Sequence, residues 1–245
     1  MIAPYDVLIT RPERAAQHLS SVLRQHGYTP LIEPLLTISA GHQQPPPLLN
    51  TGGVIFTSPN GVALTPYADL PRGWRLWPCY CVGARTAYVA EKYGWQNITA
   101  GGGSGAQLAQ QIKTRQSPEA GHLLHIGGAD LKPEPDTSLR QGGYLVINWT
   151  VYRANPVEQL SAPCAAALNG SLRIVTFFSA RTVATFAALL RDADLITSCA
   201  HLTALCLSPH VATAAAQLPW KNIVTAKAPH EAALLEALQT TLSAA

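Results

Sequence analysis

Short segments rich in glycine and polar residues recur where an apolar run gives way to a helical pattern. Four of them are Thr57–Gly61, Gly83–Thr86, Gly127–Gly128 and Ser179–Thr182. The backbone N–H groups of such turns and the start of the following helix favour anions, and glycine or serine lets a carboxylate approach closely. Helix capping by the serine and threonine side chains accounts for the same residues. Several such turns along one edge of a site favour ligand binding over capping alone.

The candidate ligand contacts in these turns, and in a weaker counterpart near residue 208, are polar, cationic or small residues. They are Thr57, Ser58, Asn60, Gly83, Arg85, Thr86, Gly127, Gly128, Ser179, Ala180, Arg181, Ser208 and His210. Arg85 and Arg181 suit an acidic ligand, or are solvated surface cations. Arg11 follows the first apolar run, where Pro12 fixes the turn. It is placed to pair with a ligand carboxylate or to form a structural salt bridge.

Tyr152 lies in an extended stretch, where its phenol could donate a proton or hydrogen bond to a leaving hydroxyl. From the residues alone, an ordinary strand aromatic explains it as well. His122 and His125 would point to opposite faces of a strand and have no accompanying carboxylate cluster, so a metal site is not expected. The sequence also offers no nucleophile elbow and no convincing Cys/His or Ser/His pair. These absences fit an enzyme whose substrate is already reactive.

The composition indicates a folded protein with a small-molecule ligand. The 245 residues are 47% hydrophobic and 13% charged, which allows one large or two small domains. A formal charge of +3 without a Lys/Arg run argues against nucleic acid and suits an anionic small ligand. The five cysteines lack CxxC spacing and predict reduced thiols. Without a leader-like start or a bilayer-spanning apolar run, the sequence predicts a cytoplasmic protein that does not contact the membrane.

Strand–turn–helix units recur along the chain. Asp6–Thr10 is typical of a buried strand, after which Pro12 opens a helix that Gly27 closes. Alternating strands and helices predict parallel sheets covered on both faces, with ligands at the carboxyl ends of the strands. The pattern returns in Gly53–Leu64, Cys79–Tyr93, Gly121–Arg140, Arg173–Leu190 and Ala204–Leu218.

The second half of the sequence repeats the first at coarse grain. Self-similarity on this scale predicts two similar lobes, and a cleft between lobes is a common ligand site. Three segments correspond at one constant offset: Gly83–Ala87 to Ser208–Ala212, Trp95 to Trp220, and Asn97-Ile98 to Asn222-Ile223. At a slightly different offset, Phe56–Val62 corresponds to Phe177–Val183.

Two extended stretches, Leu31–Ile38 and Tyr144–Arg153, interrupt this pattern because no helix follows them promptly. They enclose one complete α/β unit, whereas the opening strand and helix lack partners for a core of their own. We therefore predict two similar flavodoxin-like α/β lobes with parallel sheets, joined by a two-stranded connection. The predicted domains are a discontinuous domain of residues 1–36 and 155–245, an inserted domain of 41–150, and crossing strands at about 31–38 and 144–153.

The order and spacing of several segments resemble the uroporphyrinogen-III synthase family along nearly the whole chain. One segment departs from the internal pattern, because Ser208–Val211 lacks the glycine and threonine that Gly83–Thr86 contains. The segments that carry the resemblance are Ile9–Pro12, Pro34-Leu35, Phe56–Val62, Val82–Ala87, Val151–Ala154, Phe178–Val183 and the closing helix Ala226–Leu238.

The resemblance implies a cofactor-free, monomeric lyase of tetrapyrrole and heme biosynthesis. Such an enzyme cyclises hydroxymethylbilane to uroporphyrinogen III through a spiro intermediate, with inversion of ring D and loss of water. It also implies that Tyr152 is the functionally most important tyrosine and that both lobes bind the substrate. A non-catalytic tetrapyrrole-binding or regulatory module of the same fold is the main alternative, suggested by Ser208–Val211. A bilobed small-ligand binding protein unrelated to tetrapyrroles is another.

Overall fold

The computed structural model describes residues 5–41 and 43–243. Its chain forms two compact units, one of Met1–Thr37 with Asn155–Ala245 and the other of Ile38–Ala154. These limits lie close to the predicted domain boundaries, although residues 1–4, 244 and 245 of the predicted first domain fall outside the described residues. That these units are domains that fold independently within the predicted boundaries stays a prediction.

Both units are mixed α/β structures with parallel strands, which confirms the predicted fold class. The strands described are β1 (Val7–Ile9), β2 (Pro30–Ile32), β3 (Leu36–Ala40), β4 (Thr51–Phe56), β5 (Cys79–Cys81), β6 (Ile98–Ala100), β7 (His122–Gly128), β8 (Val146–Pro156), β9 (Ile174–Phe177), β10 (Thr203–Cys206) and β11 (Asn222–Thr225). The α-helices described are α1 (Glu13–Gln25), α2 (Pro59–Ala63), α3 (Ala84–Lys92), α4 (Gly105–Arg115), α5 (Asp136–Gln141), α6 (Ala162–Leu168), α7 (Ala180–Asp192), α8 (Pro209–Ala215) and α9 (Glu231–Ser243).

The sheet of the first unit has the strand order β11-β10-β9-β1-β2. Its neighbours pair in parallel, with Leu8 opposite Val175 where β1 meets β9. Counted along the chain, this is the flavodoxin-like order 2-1-3-4-5. The predicted flavodoxin-like arrangement is therefore present in this unit.

The sheet of the second unit has the order β3-β8-β7-β4-β5-β6, and the strands from β8 to β6 pair in parallel. Its spatial order becomes that of the first unit when β4, β5, β6, β7 and β8 are matched to β9, β10, β11, β1 and β2. The two sheets thus share one strand arrangement. Along the chain the first unit begins it with β1, whereas the second unit begins it with β4, at the place that β9 has in the first. This match also pairs the repeated segments Phe56–Val62 and Phe177–Val183, which follow the same strand in each unit.

The central strands are buried on both faces, as their nearly continuous apolar runs predict. In β1, Leu8 packs into one apolar cluster and Ile9 into another. In β4, Phe56 packs into one apolar cluster of the second unit and Ile55 into the other. Because side chains alternate between the faces of a strand, each sheet is covered by a separate core on either side.

The stretch predicted as one crossing strand at about 31–38 is divided in the structure. Its first part belongs to β2 in the first sheet and its last part to β3 in the second. Pro34 lies between them and lacks the backbone N–H that a continuous ladder needs. The neighbouring Glu33 is buried, and its carboxylate accepts hydrogen bonds from the backbone N–H and hydroxyl of Ser161 at 2.7 and 2.6 Å.

Searching the described residues for a helix both long and apolar enough to cross a membrane finds none. The five cysteines are free and buried. Burial raises the pKa of Cys199 and of Cys206 to about 12 and also raises the pKa of Cys164. A hydrogen bond with Cys81, together with burial, raises the pKa of Cys79. These environments favour protonated, inaccessible thiols.

We predict that the native protein reacts slowly with a thiol-specific disulfide reagent at pH 8. A thiol with a raised pKa carries little thiolate at that pH, and thiolate is the reactive form. The measurement is the absorbance of the released chromophore, with and without concentrated guanidinium. All five thiols should react after unfolding. Rapid modification of any thiol in the folded protein would contradict this picture.

Candidate functional site

Three of the predicted turns lie along one edge of the second sheet. Thr57–Gly61 follows β4, Gly83–Thr86 follows β5, and Gly127–Gly128 ends β7. Since these strands are parallel, their carboxyl ends meet at the same edge. The glycine pair differs from the sequence prediction, because it still belongs to β7 instead of forming a turn. Pairing with β8 prolongs the strand, with a register shift between Gly127 and Gly128.

Tyr152 and Ser58 form the first polar contact at this edge. Tyr152 lies in β8 opposite Gly128, and its phenol oxygen is 3.0 Å from the hydroxyl oxygen of Ser58. Ser58 also caps α2, accepting a hydrogen bond from the Gly61 N–H at 3.1 Å. A Cβ at Gly128 would lie 2.7 Å from two carbons of the Tyr152 ring. The glycine therefore makes room for the phenol, and Ser58 serves as a cap and as a partner of Tyr152.

A second polar chain starts at the neighbouring Thr57. Its hydroxyl oxygen lies 3.0 Å from Nε2 of His125, whose Nδ1 lies 2.6 Å from a carboxylate oxygen of Asp136. His125 is fully buried and Asp136 is 4% exposed. Asp136 is the first residue of α5, and its other oxygen is 3.7 Å from the guanidinium of Arg140. The chain thus links a hydroxyl at the strand edge to a buried carboxylate.

Sequence reasoning missed the role of His125 and Asp136. It considered His125 only as a metal ligand, although a histidine inside the apolar run of β7 was the available signal. Nothing in the spacing identified Asp136 as its partner, because the loop between β7 and α5 sets that contact. Among the described residues, no group of three or more His, Cys, Asp and Glu side chains is placed to hold a metal ion.

The other candidates of the second unit differ in exposure. Arg85 is exposed in the first turn of α3, whereas the neighbouring Thr86 is buried. Asn60 is half-buried in α2. A Cβ at Gly127 would meet the terminal methyl of Leu131 at 2.6 Å. A side chain at this position would therefore need the end of Leu131 to move.

The candidates of the first unit lie at the carboxyl ends of β9 and β10. Ser179 caps α7, accepting from the Thr182 N–H at 3.2 Å, and Ala180 and Arg181 follow in the first turn. Ser208 precedes α8 without making a side-chain cap, and His210 is exposed in that helix. The capping explanation is therefore present at Ser179 and missing at Ser208.

Arg11 follows β1 in the first unit and forms an ion pair with Glu231, the first residue of α9. Its guanidinium also lies 4.0 Å from the centre of the Phe178 ring. His18 approaches the same Glu231 carboxylate at 3.4 Å. The structural salt bridge is thus present at Arg11. Its binding of a ligand carboxylate stays a prediction.

The sequence model of a known family, described as uroporphyrinogen-III synthase HemD, matches residues 17–236. The chain belongs to the uroporphyrinogen-III synthase family. This match confirms the resemblance inferred from the sequence. In a comparison with curated proteins, no sequence matches significantly.

Solved structures from the same family share the fold. A uroporphyrinogen-III synthetase from Helicobacter pylori is 18% identical with a TM-score of 0.66, covering 97% of this chain and 99% of its own. A mutant uroporphyrinogen III synthase from the extremely thermophilic bacterium Thermus thermophilus is 15% identical with a TM-score of 0.56, covering 98% and 100%. Both likenesses extend over the full length of the chains compared.

We predict that Gly128→Ala displaces the Tyr152 ring and destabilises the protein by about 1–3 kcal/mol, the usual cost of overpacking. Urea unfolding measures the loss. Gly127→Ala is the matched control and should cost less, because the Leu131 methyl that it meets can rotate away.

A double-mutant cycle identifies the cause of that loss. In a Tyr152→Ala background the ring is absent, so Gly128→Ala should become nearly neutral. An equal loss in both backgrounds would show that the clash with Tyr152 is not responsible.

Proposed function

We propose that the protein is a uroporphyrinogen-III synthase. It cyclises hydroxymethylbilane to uroporphyrinogen III with inversion of ring D and loss of water, which is a lyase reaction of heme biosynthesis. The observation that carries this proposal is the family match over residues 17–236. The polar strand edge that contains Tyr152 supports it.

The substrate is a linear tetrapyrrole with an acetate and a propionate on every ring. Loss of its terminal hydroxyl gives an azafulvene electrophile, which the substituted carbon of ring D attacks to form a spiro intermediate. That intermediate fragments and closes again with ring D inverted. Without assistance the ring closes without inversion, so the protein must mainly orient the two ends of the linear tetrapyrrole.

Tyr152 assists departure of the hydroxyl in this proposal. Its partner Ser58 already accepts the Gly61 N–H, so the Ser58 proton is available to the phenol oxygen. The phenol O–H then faces the substrate and donates to the leaving oxygen. Gly128 supports this arrangement by giving the ring its place beside β7.

Backbone N–H groups hold the substrate carboxylates in the same proposal. They lie in the turns after β4, β5 and β9, where helix starts add a favourable dipole. The exposed Arg85 and Arg181 add positive charge in the first turns of α3 and α7. The acetate and the propionate on every pyrrole give such groups many partners.

The proposal includes a cytoplasmic monomer that needs no metal or cofactor. Buried, free cysteines suit a reducing compartment. Sedimentation of the purified protein measures its association state, and dialysis against a chelator should leave turnover unchanged.

The decisive experiment is incubation with freshly made hydroxymethylbilane, followed by separation of the type III and type I products. We expect mainly type III. Product of type I alone, at the unassisted rate, would instead indicate a non-catalytic tetrapyrrole-binding module.

We predict that Tyr152→Phe lowers the rate of type III formation about 10- to 100-fold, the lower range for a lost general acid. Tyr144→Phe is the control, because that hydroxyl also lies in the second unit and donates to the backbone oxygen of Gln116 at 2.6 Å. The control should keep its turnover, apart from any loss of stability seen by circular dichroism. Unchanged kinetics in Tyr152→Phe would remove this hydroxyl from the mechanism.

A further inference from the structure

The buried chain Thr57–His125–Asp136 is not used by the mechanism above. Burying an imidazole and a carboxylate costs free energy unless their polar atoms are paired. Here each is paired, His125 with Asp136 on one nitrogen and with Thr57 on the other. His125 stands between the apolar Leu124 and Ile126 of β7, so this polar chain calls for a reason beyond packing.

The first unit shows that the fold itself does not need this chain. His125 is the register partner of Ile55 in β4, and the matching pair in the first unit is Ile9 with Thr176. The residue matching Thr57 there is Phe178. Ile9 and Phe178 pack together in an apolar cluster. The same position of the same strand arrangement is thus filled by an apolar contact in one unit and by a polar chain in the other.

The direction of each hydrogen bond follows from the chemistry of Asp136. Its carboxylate accepts hydrogen bonds, and its second oxygen lies 3.7 Å from the guanidinium of Arg140. Nδ1 of His125 must therefore carry a proton and donate it to Asp136. With its single proton on Nδ1, the imidazole has an acceptor at Nε2.

Thr57 consequently donates its hydroxyl proton inward to His125. Among the described residues, His125 is the hydrogen-bond partner of this hydroxyl, and Thr57 itself is only half-buried. Its oxygen therefore presents lone pairs to the strand edge. A group that binds there must donate a hydrogen bond, so a carboxylate does not suit the position.

We propose that His125 and Asp136 are positioning residues that fix the Thr57 hydroxyl as an acceptor for a pyrrole N–H of the substrate. The inference rests on the proposed function, since each ring of a linear tetrapyrrole offers such an N–H. Thr57 adjoins Ser58, the partner of Tyr152. A ring bound through its N–H at Thr57 is thereby oriented beside the phenol.

The proton position can be tested without turnover by nitrogen NMR of labelled histidine, with His125 assigned from the spectrum of His125→Gln. We expect the neutral form with its proton on Nδ1. In Asp136→Asn we expect the imidazole proton on Nε2 instead, because the new amide turns its oxygen toward Arg140 and its NH₂ toward Nδ1 of His125. A proton on Nε2 in the unaltered protein would overturn the proposal.

Kinetic measurements then test whether His125 and Asp136 act through Thr57. We expect Thr57→Val and Asp136→Asn each to lower kcat/KM about three- to tenfold, the size of one hydrogen bond. In the Thr57→Val background, Asp136→Asn should have almost no further effect on kcat/KM. Thr57→Ser should restore most of the rate, because it keeps the hydroxyl.

The protein contains a matched control pair of side chains at the other end of the same strands. His122 in β7 lies 3.1 Å from the hydroxyl of Thr51 in β4, far from the carboxyl ends. His122→Gln and Thr51→Val should cost stability without lowering kcat/KM of the folded enzyme. Equal kinetic losses at both pairs, or full additivity of Asp136→Asn with Thr57→Val, would show a merely structural role.

The failure of this inference can be told apart from the failure of the proposed function. If the unaltered protein does not convert hydroxymethylbilane, the function is wrong, whatever the NMR shows. If it does convert hydroxymethylbilane but Thr57→Val is silent, the function stands and the role of His125 and Asp136 is wrong. Because Thr57 lies in a turn, its variants keep the test open even if Asp136→Asn fails to fold.

Discussion

Parallel pairing of β4, β7 and β8 brings the end of one strand beside the ends of its neighbours. The contacts Tyr152–Ser58 and Thr57–His125 lie at that edge. Thr57 and Ser58 leave β4 there, and Tyr152 comes from β8. An antiparallel partner would have brought the start of a strand to this edge instead. The shared direction of the strands thus decides which side chains meet.

Within that edge, the two units use the same backbone arrangement differently. In the second unit the position after β4 is a threonine that reaches a buried histidine, whereas the first unit has Phe178 packed with Ile9. Apolar packing stabilises such a position without a desolvation penalty. The polar version carries that penalty and offsets it with two hydrogen bonds.

The relation between the units also explains why their internal repeat is partial. The repeated segments lie next to or within β4, β5 and β6 in one unit and β9, β10 and β11 in the other, where chain order and spatial order agree. Along the chain, β7 and β8 come after β4, β5 and β6, whereas β1 and β2 come before β9, β10 and β11. Their equivalence is spatial, and a constant offset along the sequence cannot reveal it.

The sequence by itself determined the α/β class, the turns after β4, β5 and β9 and the family, because these depend on local periodicity and on the order of segments. It also singled out Tyr152 and Ser58 separately. Only the tertiary structure decided that these two hydroxyls lie 3.0 Å apart. It likewise decided that Arg11 pairs with Glu231 and that His125 reaches Asp136. Each of these contacts joins different elements of the chain, and the strand register and loop paths that set them leave no periodic signal in the sequence.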